Sequence, residues 1–518
     1  MSTSSVGSPL MIEDSTSQPL LSLSEHDESM SVVKMDPLTA KRWTAVASIG
    51  VCVFLAFPIF GAVGTTNNHS EHHAESRLVS RTSPTLTTTL LPRKEIRLQD
   101  NDDAALDISV IGDPINVWRS PDSYHRCHQI DVPDIPTRAF AETNNNHQHN
   151  KIHMIQGSTE YHIMTGSSLL DVKRNCDIAF NKTANPDPSQ FAANEFLDSP
   201  VAFPNNNGTV VAISHTEFPG NRYDQCPLPK AYPHCWTVTM GLMISHDFGR
   251  TWAHARPPPH HLVAAVPYQY NATQLASGWG DPSNILRSPL NDGYYYMAAW
   301  NRNTVGLQSA GVCMMRTKTL MDPSSWRGWN GHDYSVSFVS PYVSWRGWNG
   351  IDYAESFVSP YPSPKDDEFD PAHHICTVLD VDTSQLDPTQ CNPFGLVWSP
   401  SLELFLLTWG CLNGYGPFYV TTSTDLIHWS APQHLYDKSM LPLGVAKNVT
   451  SMHYPNLMDV AAPDQFGDAN YNTIGATPHL FWVSFGHNVY ADGRSAWATP
   501  LRMVKRQDDT QEETSSTT

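Results

Sequence analysis

The octapeptide Ser245-His246-Asp247-Phe248-Gly249-Arg250-Thr251-Trp252 follows the apolar segment 238–244 and fits the pattern Ser-x-Asp-x-Gly-x-Thr-Trp at every fixed position. In such a turn the aspartate accepts hydrogen bonds from nearby backbone N–H groups, and glycine adopts a positive φ at little cost. Threonine and tryptophan then suit the start of a strand. The stretch predicts the corner of a β-hairpin, with a structural role for Asp247.

The same order of short strands and polar turns recurs along the chain. Asn-Gly and Asp-Gly turns, such as Asn291-Asp292-Gly293, are strong hairpin signals between two of these strands. Repeats of roughly 70 to 100 residues are the size of a propeller blade with its loops. The copies span residues 138–171, 200–252, 282–326, 395–429 and 457–504. They predict an all-β fold, a five-bladed β-propeller over residues 107–506. A sixth blade would result if residues 107–130 supplied further strands.

A local repeat of another kind lies in the third copy. Residues 325–342 and 344–361 are almost identical, and a segment this short cannot form a blade. One copy is expected to take a strand position while the other bulges out.

The N-terminal part predicts a membrane anchor. Residues 42–64 contain an apolar run about long enough to cross a bilayer, with Lys41 and Arg42 at its start and no further Lys or Arg before Arg77. This asymmetry favours an uncleaved signal-anchor with the C-terminal part lumenal or extracellular, a type II topology; a cleaved signal peptide is the alternative. Polar composition predicts a disordered cytosolic tail at 1–41, a stalk at 65–106 and a second tail at 507–518.

Sequons and cysteines agree with an exported domain. Apart from Cys52 in the apolar run, the remaining cysteines are even in number and indicate disulfides. Cys226–Cys235 and Cys376–Cys391 are close enough in sequence to form loop staples. The sequons, all beyond the apolar run, start at Asn68, Asn181, Asn207, Asn271 and Asn448.

Several functional classes are disfavoured. A formal charge of -19 argues against a nucleic-acid partner, because binding to phosphates needs a positively charged protein surface. A nucleophile elbow, a P-loop and a dinucleotide fingerprint do not occur in the sequence. Because the histidines fall in polar loops without ligand partners at metal spacing, no metal site or cofactor is expected. The sequence does not determine the oligomeric state.

Two short motifs carry a resemblance to known families. Ser423-x-Asp425-Leu426-x-x-Trp429 and Asp281-Pro282-Ser283-Asn284 resemble five-bladed glycoside hydrolases of the arabinanase, xylosidase and invertase type. The octapeptide at 245–252 is similar to the Asp-box of sialidase-like propellers. The resemblance implies a propeller that acts on a glycan or glycoconjugate. The hydrolase pattern has an Asp base on the first inner strand; here residues 135–138 read Ile-Pro-Thr-Arg, with Asp134 just before them.

Strand ends that meet at one face of the ring supply the candidate site. Glu217 is the first choice for the general acid, and Asp281 is the candidate for the base or pKa modulator. Asp198 is the third carboxylate of the candidate site. Asp281 and Asp198 could instead cap turns, and Glu217 could be a solvated strand-end charge. The candidate substrate-binding residues on the same rim are Arg138, His215, Trp300, Asn301 and Trp409.

Three functions remain open at this stage. One is glycoside hydrolysis by rim carboxylates, and another is glycan or protein binding without turnover. A sialidase is the third. Two rim carboxylates about 5 to 10 Å apart across an open pocket would favour hydrolysis, whereas carboxylates paired with arginines would favour binding.

Overall fold

The computed structural model describes residues 96–97 and most of 106–506. The gaps within the second range are 119–126, 128–131, 144–148, 159, 183, 204–207, 223–225, 228–233, 269, 274, 339–344, 348–354, 358–369, 382–385, 388–389, 412–416 and 487–493. Both expected tails, at 1–41 and 507–518, the expected signal-anchor and most of the expected stalk lie outside the described residues. Within the described part of the chain, no helix has the length and apolar character needed to cross a bilayer.

The described residues are almost entirely β. The strands are β1 (Ile96–Arg97), β2 (Leu106–Val110), β3 (Ile115–Asn116), β4 (Arg138–Thr143), β5 (His149–Ile155), β6 (Glu160–Gly166), β7 (Val172–Asn181), β8 (Glu195–Ala202), β9 (Val210–Pro219), β10 (Trp236–Ser245), β11 (Ala253–His254), β12 (Leu262–Ala264), β13 (Ser277–Gly280), β14 (Leu286–Arg287), β15 (Tyr295–Asn301), β16 (Gly311–Thr317), β17 (Arg327–Gly328), β18 (Trp345–Gly347), β19 (Glu355–Phe357), β20 (Cys391–Ser399), β21 (Leu404–Cys411), β22 (Phe418–Ser423), β23 (Gln433–Tyr436), β24 (Ser451–Met458), β25 (His479–Phe485) and β26 (Arg494–Lys505). The helices are short: α1 (Leu443–Ala446), α2 (Ala462–Phe466) and 3-10 turns at Pro188–Gln190, Gly220–Arg222, Pro323–Ser325, Pro371–His374 and Lys438–Met440.

These strands form five antiparallel units in chain order. The first is β4-β5-β6-β7, and the second is β8-β9-β10 with β11 and β12 on its outer side. The third contains β13 to β17, the fourth is β20-β21-β22-β23, and the fifth is β24-β25-β26-β2. A short parallel pairing of β10 with β13 joins the second and third units. The strands near residue 107, which were the condition for a sixth blade, instead belong to the fifth unit, because β2 and β3 both pair with β26.

The apolar cores lie between neighbouring units. Phe140 and Met243 share a core between the first and second units, and Phe481 shares one with Ala139 between the fifth and the first. Three further cores join the second to the third, the third to the fourth and the fourth to the fifth. The units thus follow one another around a closed ring, which is consistent with a β-propeller.

The octapeptide turn has the geometry expected from its sequence. Asp247 accepts from the Thr251 backbone N–H at 2.9 Å and from the Thr251 hydroxyl at 2.7 Å. Gly249 has a φ of 78°, and the Trp252 indole donates to its carbonyl. Asp425 holds the equivalent turn of the fourth unit, where it accepts from the backbone N–H groups of residues 427 and 428. Asp247 is a structural residue of its turn.

Four disulfides join the eight described cysteines. Cys226–Cys235 forms as expected, but Cys376–Cys391 does not. The ring brings Cys376 to Cys313 of β16, and Cys391 pairs instead with Cys411 on the neighbouring strand. Cys127–Cys176 is the fourth bond.

The tandem repeat divides between two environments. In the first copy, Arg327–Gly328 forms β17 at the edge of the third unit, and Trp326 is buried. In the second copy, β18 pairs only with β19, outside the five units.

Candidate active site

The innermost strands of four units are interrupted at the point where they approach the axis. The pairing register shifts between residues 198 and 201, 393 and 395, and 453 and 456. In the third unit the inner strand is divided into β13 and β14, and Asp281 between them has a φ of 41°. Ser199 and Tyr454 likewise have positive φ values, of 52° and 59°. Such bulges re-aim side chains and free backbone groups from the ladder.

Arg138 fills the space between these interruptions. Its Nε donates to Asp198 Oδ1 at 2.8 Å, and Nη2 donates to the carbonyls of Pro282 and Phe394. Asp198 also accepts from the Ser199 N–H and hydroxyl. Arg138 and Asp198 are 2% and 0% exposed, so neither reaches a solvent-borne substrate. Burial raises the pKa of Asp198 while the Arg138 charge opposes that rise.

Glu217 and Asp281 line one small pocket with Trp300. Glu217 lies near the end of β9, Asp281 directly follows β13, and Trp300 pairs with Gly280 on β15. Trp236 and Arg302 complete the polar and aromatic part of the lining. The cavity is about 30 Å³, room for one or two water molecules.

Burial favours the protonated forms of both pocket carboxylates. It raises the pKa of Asp281 to about 7, and the nearby Asp198 charge adds to this rise. Burial also raises the pKa of Glu217, and the negative charge of Asp281 raises it further. The positive charge of Lys182 opposes these two effects on Glu217. Two like charges in a poorly solvated space disfavour joint ionisation. The pair is suited to holding one proton near neutral pH.

The His215 imidazole lies next to Asp281 and is neutral. Its Nε2 lies 3.9 Å from Asp281 Oδ1, beyond hydrogen-bond distance, and the ring stacks on Phe196 at 4.8 Å. Burial lowers the pKa of His215 to about 3. The residue therefore lies next to Asp281 without adding a positive charge.

Asp134 was not among the carboxylates chosen from the sequence, although its position before residues 135–138 was noted. Asp134 accepts from the Tyr454 hydroxyl at 3.2 Å and forms an ion pair with Arg494. Its charge contributes to the raised pKa values of both Glu217 and Asp281. Its place just before β4 was the signal that could have found it.

Two expected substrate-binding residues lie in the interior. Asn301 is 0% exposed; it accepts from the Gly278 N–H and donates to the Ser309 carbonyl. Trp409 is 1% exposed and donates to the Thr421 hydroxyl. Of the sequence candidates, the structure brings Glu217, Asp281, Trp300 and His215 together, and it places Arg138, Asp198, Asn301 and Trp409 in the packed interior.

A separate cluster of potential metal ligands was missed. Single atoms of Glu195, His254 and His261 all lie within 4.8 Å of one another. Sequence spacing hid this cluster, because Glu195 lies about 60 residues before the histidines and on another strand.

No family model and no curated protein sequence matches the chain. Among solved structures, it is similar to a xylan β-1,4-xylosidase from Bacillus halodurans, at 9% identity and a TM-score of 0.36, over 74% of this chain and 54% of that one. An exo-β-1,3-galactanase from Phanerochaete chrysosporium gives 10% identity and a TM-score of 0.37, over 74% and 64%. An N-acetylgalactosamine deacetylase from F. plautii gives 12% identity and a TM-score of 0.38, over 78% and 96%. The chain thus spans about half to two thirds of the length of the first two proteins.

Proposed function

We propose that this protein is a glycoside hydrolase-like, five-bladed β-propeller that acts on a glycan through Glu217 and Asp281. The observation that carries the proposal is that these two carboxylates line one pocket and that burial raises the pKa of each. A protonated and an ionised carboxyl group beside one glycosidic bond supply the acid and the second carboxylate that hydrolysis needs. Trp300 offers an aromatic edge to the same pocket.

The roles follow from the surroundings of each group. Glu217 is the general acid, because its raised pKa keeps the proton that a leaving oxygen must receive. Asp281 is the base or the pKa modulator. Asp198 has no direct role in this scheme, because its carboxylate is buried against Arg138.

The test is a panel of oligosaccharides and aryl glycosides offered to the full chain and to two variants. Glu217→Gln should lower glycoside cleavage by about 10²- to 10⁴-fold, the usual contribution of a positioned general acid. Glu403→Gln is the matched control, since Glu403 is exposed at the turn between β20 and β21. Equal cleavage by wild type and Glu217→Gln would remove Glu217 from the mechanism.

Glycan binding without turnover is the second candidate. The cavity of about 30 Å³ is too small to enclose a sugar ring, so a glycan would contact only its mouth. Contact at the mouth is enough for binding, whereas cleavage needs the glycosidic bond beside both carboxylates. In the same panel, this function would give retention of an oligosaccharide with no cleavage by wild type. Sialidase activity has less support, because Arg138, the arginine proposed to bind a sugar carboxylate, is buried in an ion pair.

We also propose a single-pass type II membrane topology, with the propeller lumenal or extracellular. The charge asymmetry around residues 42–64 and the disulfides support it. Asn181, Asn271 and Asn448 are exposed, as glycan acceptors must be. Removal of N-glycans from the protein made in a secretory cell should shift its mobility, and replacing these asparagines by Gln should reduce that shift. An unshifted protein would contradict the topology.

A further inference from the structure

A buried cluster in the second unit has the composition of a metal site. Glu195 begins β8, His254 ends β11, and His261 directly precedes β12. One potential ligand atom from each lies within 4.8 Å of the others. We propose that Glu195, His254 and His261 bind one divalent transition-metal ion, with zinc as the best match.

The state of His261 supports this proposal. Its ring is fully buried, and Nε2 lies 3.1 Å from the Phe191 carbonyl, which can only accept. Nε2 therefore carries the proton, and the lone pair remains on Nδ1. Among the described residues Nδ1 has no hydrogen-bond partner. Metal-ligating histidines commonly donate their other N–H to a backbone carbonyl in this way, and a bound ion would satisfy a buried acceptor that is costly to leave unpaired.

Glu195 and His254 are already at a suitable separation. The carboxylate oxygen of Glu195 lies 2.8 Å from Nε2 of His254, at hydrogen-bond distance, and a bound ion would replace the proton that the two atoms share, releasing it to solvent. Two ligands that each lie about 2.0–2.2 Å from a zinc ion are about 3 Å or slightly more apart, so little movement is needed. Glu195 is also an acceptor for the Ser214 hydroxyl at 3.2 Å, which orients it. The His254 side chain is 17% exposed and gives an ion a route from solvent.

Gly241 makes room for the second imidazole. A Cβ atom at this position would lie 2.3 Å from Cδ2 and 2.8 Å from Nε2 of His261. Gly241 pairs with Ser214 on one side and Leu262 on the other, so the backbone cannot easily withdraw. The ring of His261 is thus held in place, 4.5 Å from the ring of His254 between centroids.

The ligand types select the metal. Two imidazoles and one carboxylate suit zinc and related transition metals, whereas calcium and magnesium prefer oxygen ligands alone.

The site is distinct from the pocket of the proposed function. Thr216 pairs with Glu195, and because neighbouring residues of a strand point to opposite faces, Glu217 points away from the cluster. The inference does not depend on glycoside cleavage.

The experiment measures zinc binding by the untagged full chain after chelator treatment, with zinc alone as the probe. One equivalent should bind, and cobalt in its place should give visible absorption bands of a four- or five-coordinate site. His254→Gln and His261→Gln should each weaken zinc binding by at least about 100-fold. His373→Gln, at a side chain that is 82% exposed, should bind like wild type.

A second control separates ligation from folding. Ser214→Ala keeps all three ligands but removes the hydrogen bond to Glu195, and it should keep one equivalent of zinc with about 10-fold weaker binding. Wild type that binds no zinc in the micromolar range would overturn the proposal. So would folded His254→Gln and His261→Gln variants that retain the wild-type affinity. If both variants fail to fold, loss of the cobalt bands in Glu195→Gln decides the question, and retention of those bands would refute the site.

Discussion

Arg138 Nε lies 2.8 Å from Asp198 Oδ1, and both side chains are closed off from solvent at the axis of the ring. Arg138 belongs to the first unit, Asp198 to the second, and the two carbonyls that also accept from the guanidinium belong to the third and fourth. A single side chain thus connects four units.

Loss of this arginine should destabilise the fold. Arg138→Met leaves Asp198 as a buried carboxylate without its partner, and we expect the free energy of unfolding to fall by about 3–5 kcal/mol. Urea unfolding measures the change. The double variant Arg138→Met/Asp198→Asn should be more stable than the single variant, because it removes the uncompensated charge. Equal or additive losses would show that the ion pair is not the cause.

The stability of the protein should report the raised pKa of Asp281. Because the folded-state pKa is about 7 and the ordinary value is 3.8, the ionised group costs stability above pH 4, and this cost grows until about pH 7. Asp281→Asn should therefore gain melting temperature relative to wild type as the pH rises from 4 to 7, with a constant difference above that.

Asp425→Asn is the control, because the pH dependence of its stability difference from wild type should have the opposite sign. Hydrogen bonds, His428 first among them, lower the pKa of Asp425 to about 2 although burial opposes this, so its ionised form stabilises the fold above pH 4. The variant should be less stable than wild type at neutral pH, and the difference should shrink as the pH falls towards 2. For Asp281→Asn, a difference in melting temperature from wild type that does not change between pH 4 and 7 would contradict the effect of burial on the pKa of Asp281.

The rate of glycoside cleavage should fall as the pH rises through the raised pKa of Glu217. The reason is that deprotonation removes the acid that protonates the leaving oxygen. Glu217→Gln should retain more activity on a dinitrophenyl glycoside than on a natural linkage, because that leaving group needs little protonation. Its kcat/KM should also lack the alkaline fall. A Glu217→Gln variant with the wild-type pH profile would show that another group supplies the proton.

The disulfides should contribute unequally. Cys313–Cys376 spans 63 residues and Cys226–Cys235 spans 9. By chain entropy the longer loop contributes about 4 kcal/mol and the shorter about 3 kcal/mol. Thermal unfolding of the paired Cys→Ala variants compares them, and the loss of Cys313–Cys376 should be the larger. The reverse order would indicate that packing around the sulfur atoms outweighs loop length.

The sequence predicted the elements that depend on nearby residues. Asp247 and Asp425 each accept from N–H groups within four residues, so each turn is encoded by its own short segment. Alternation and turn signals likewise indicated repeated antiparallel units. The disulfide from Cys376 was beyond this reasoning, because its partner was chosen by the packing of β16.

The candidate site was predicted in part. Glu217 and Asp281 line one pocket, as expected of strand ends that face the same way and meet at one rim, while their roles stay a prediction. Asn301 and Trp409 also stand at strand ends, but their side chains turn into the interior. A strand end fixes where a residue lies, but the tertiary packing around it decides whether its side chain faces the pocket or the interior.

The sequence by itself determined the turns, the strands and their repetition, because these follow from hydrogen bonds and periodicity over a few residues. Only the tertiary structure decided that Arg138 is buried against Asp198 and that Glu195 meets the two histidines. It also separated the two copies of an almost identical segment, of which one supplies β17 and the other the pair β18 and β19. The two copies differ at three positions, and at one of them the first copy has Val336, buried in the core that contains Trp326, where the second copy has Glu355. Burial of an apolar side chain therefore favours the first copy at the edge of the third unit.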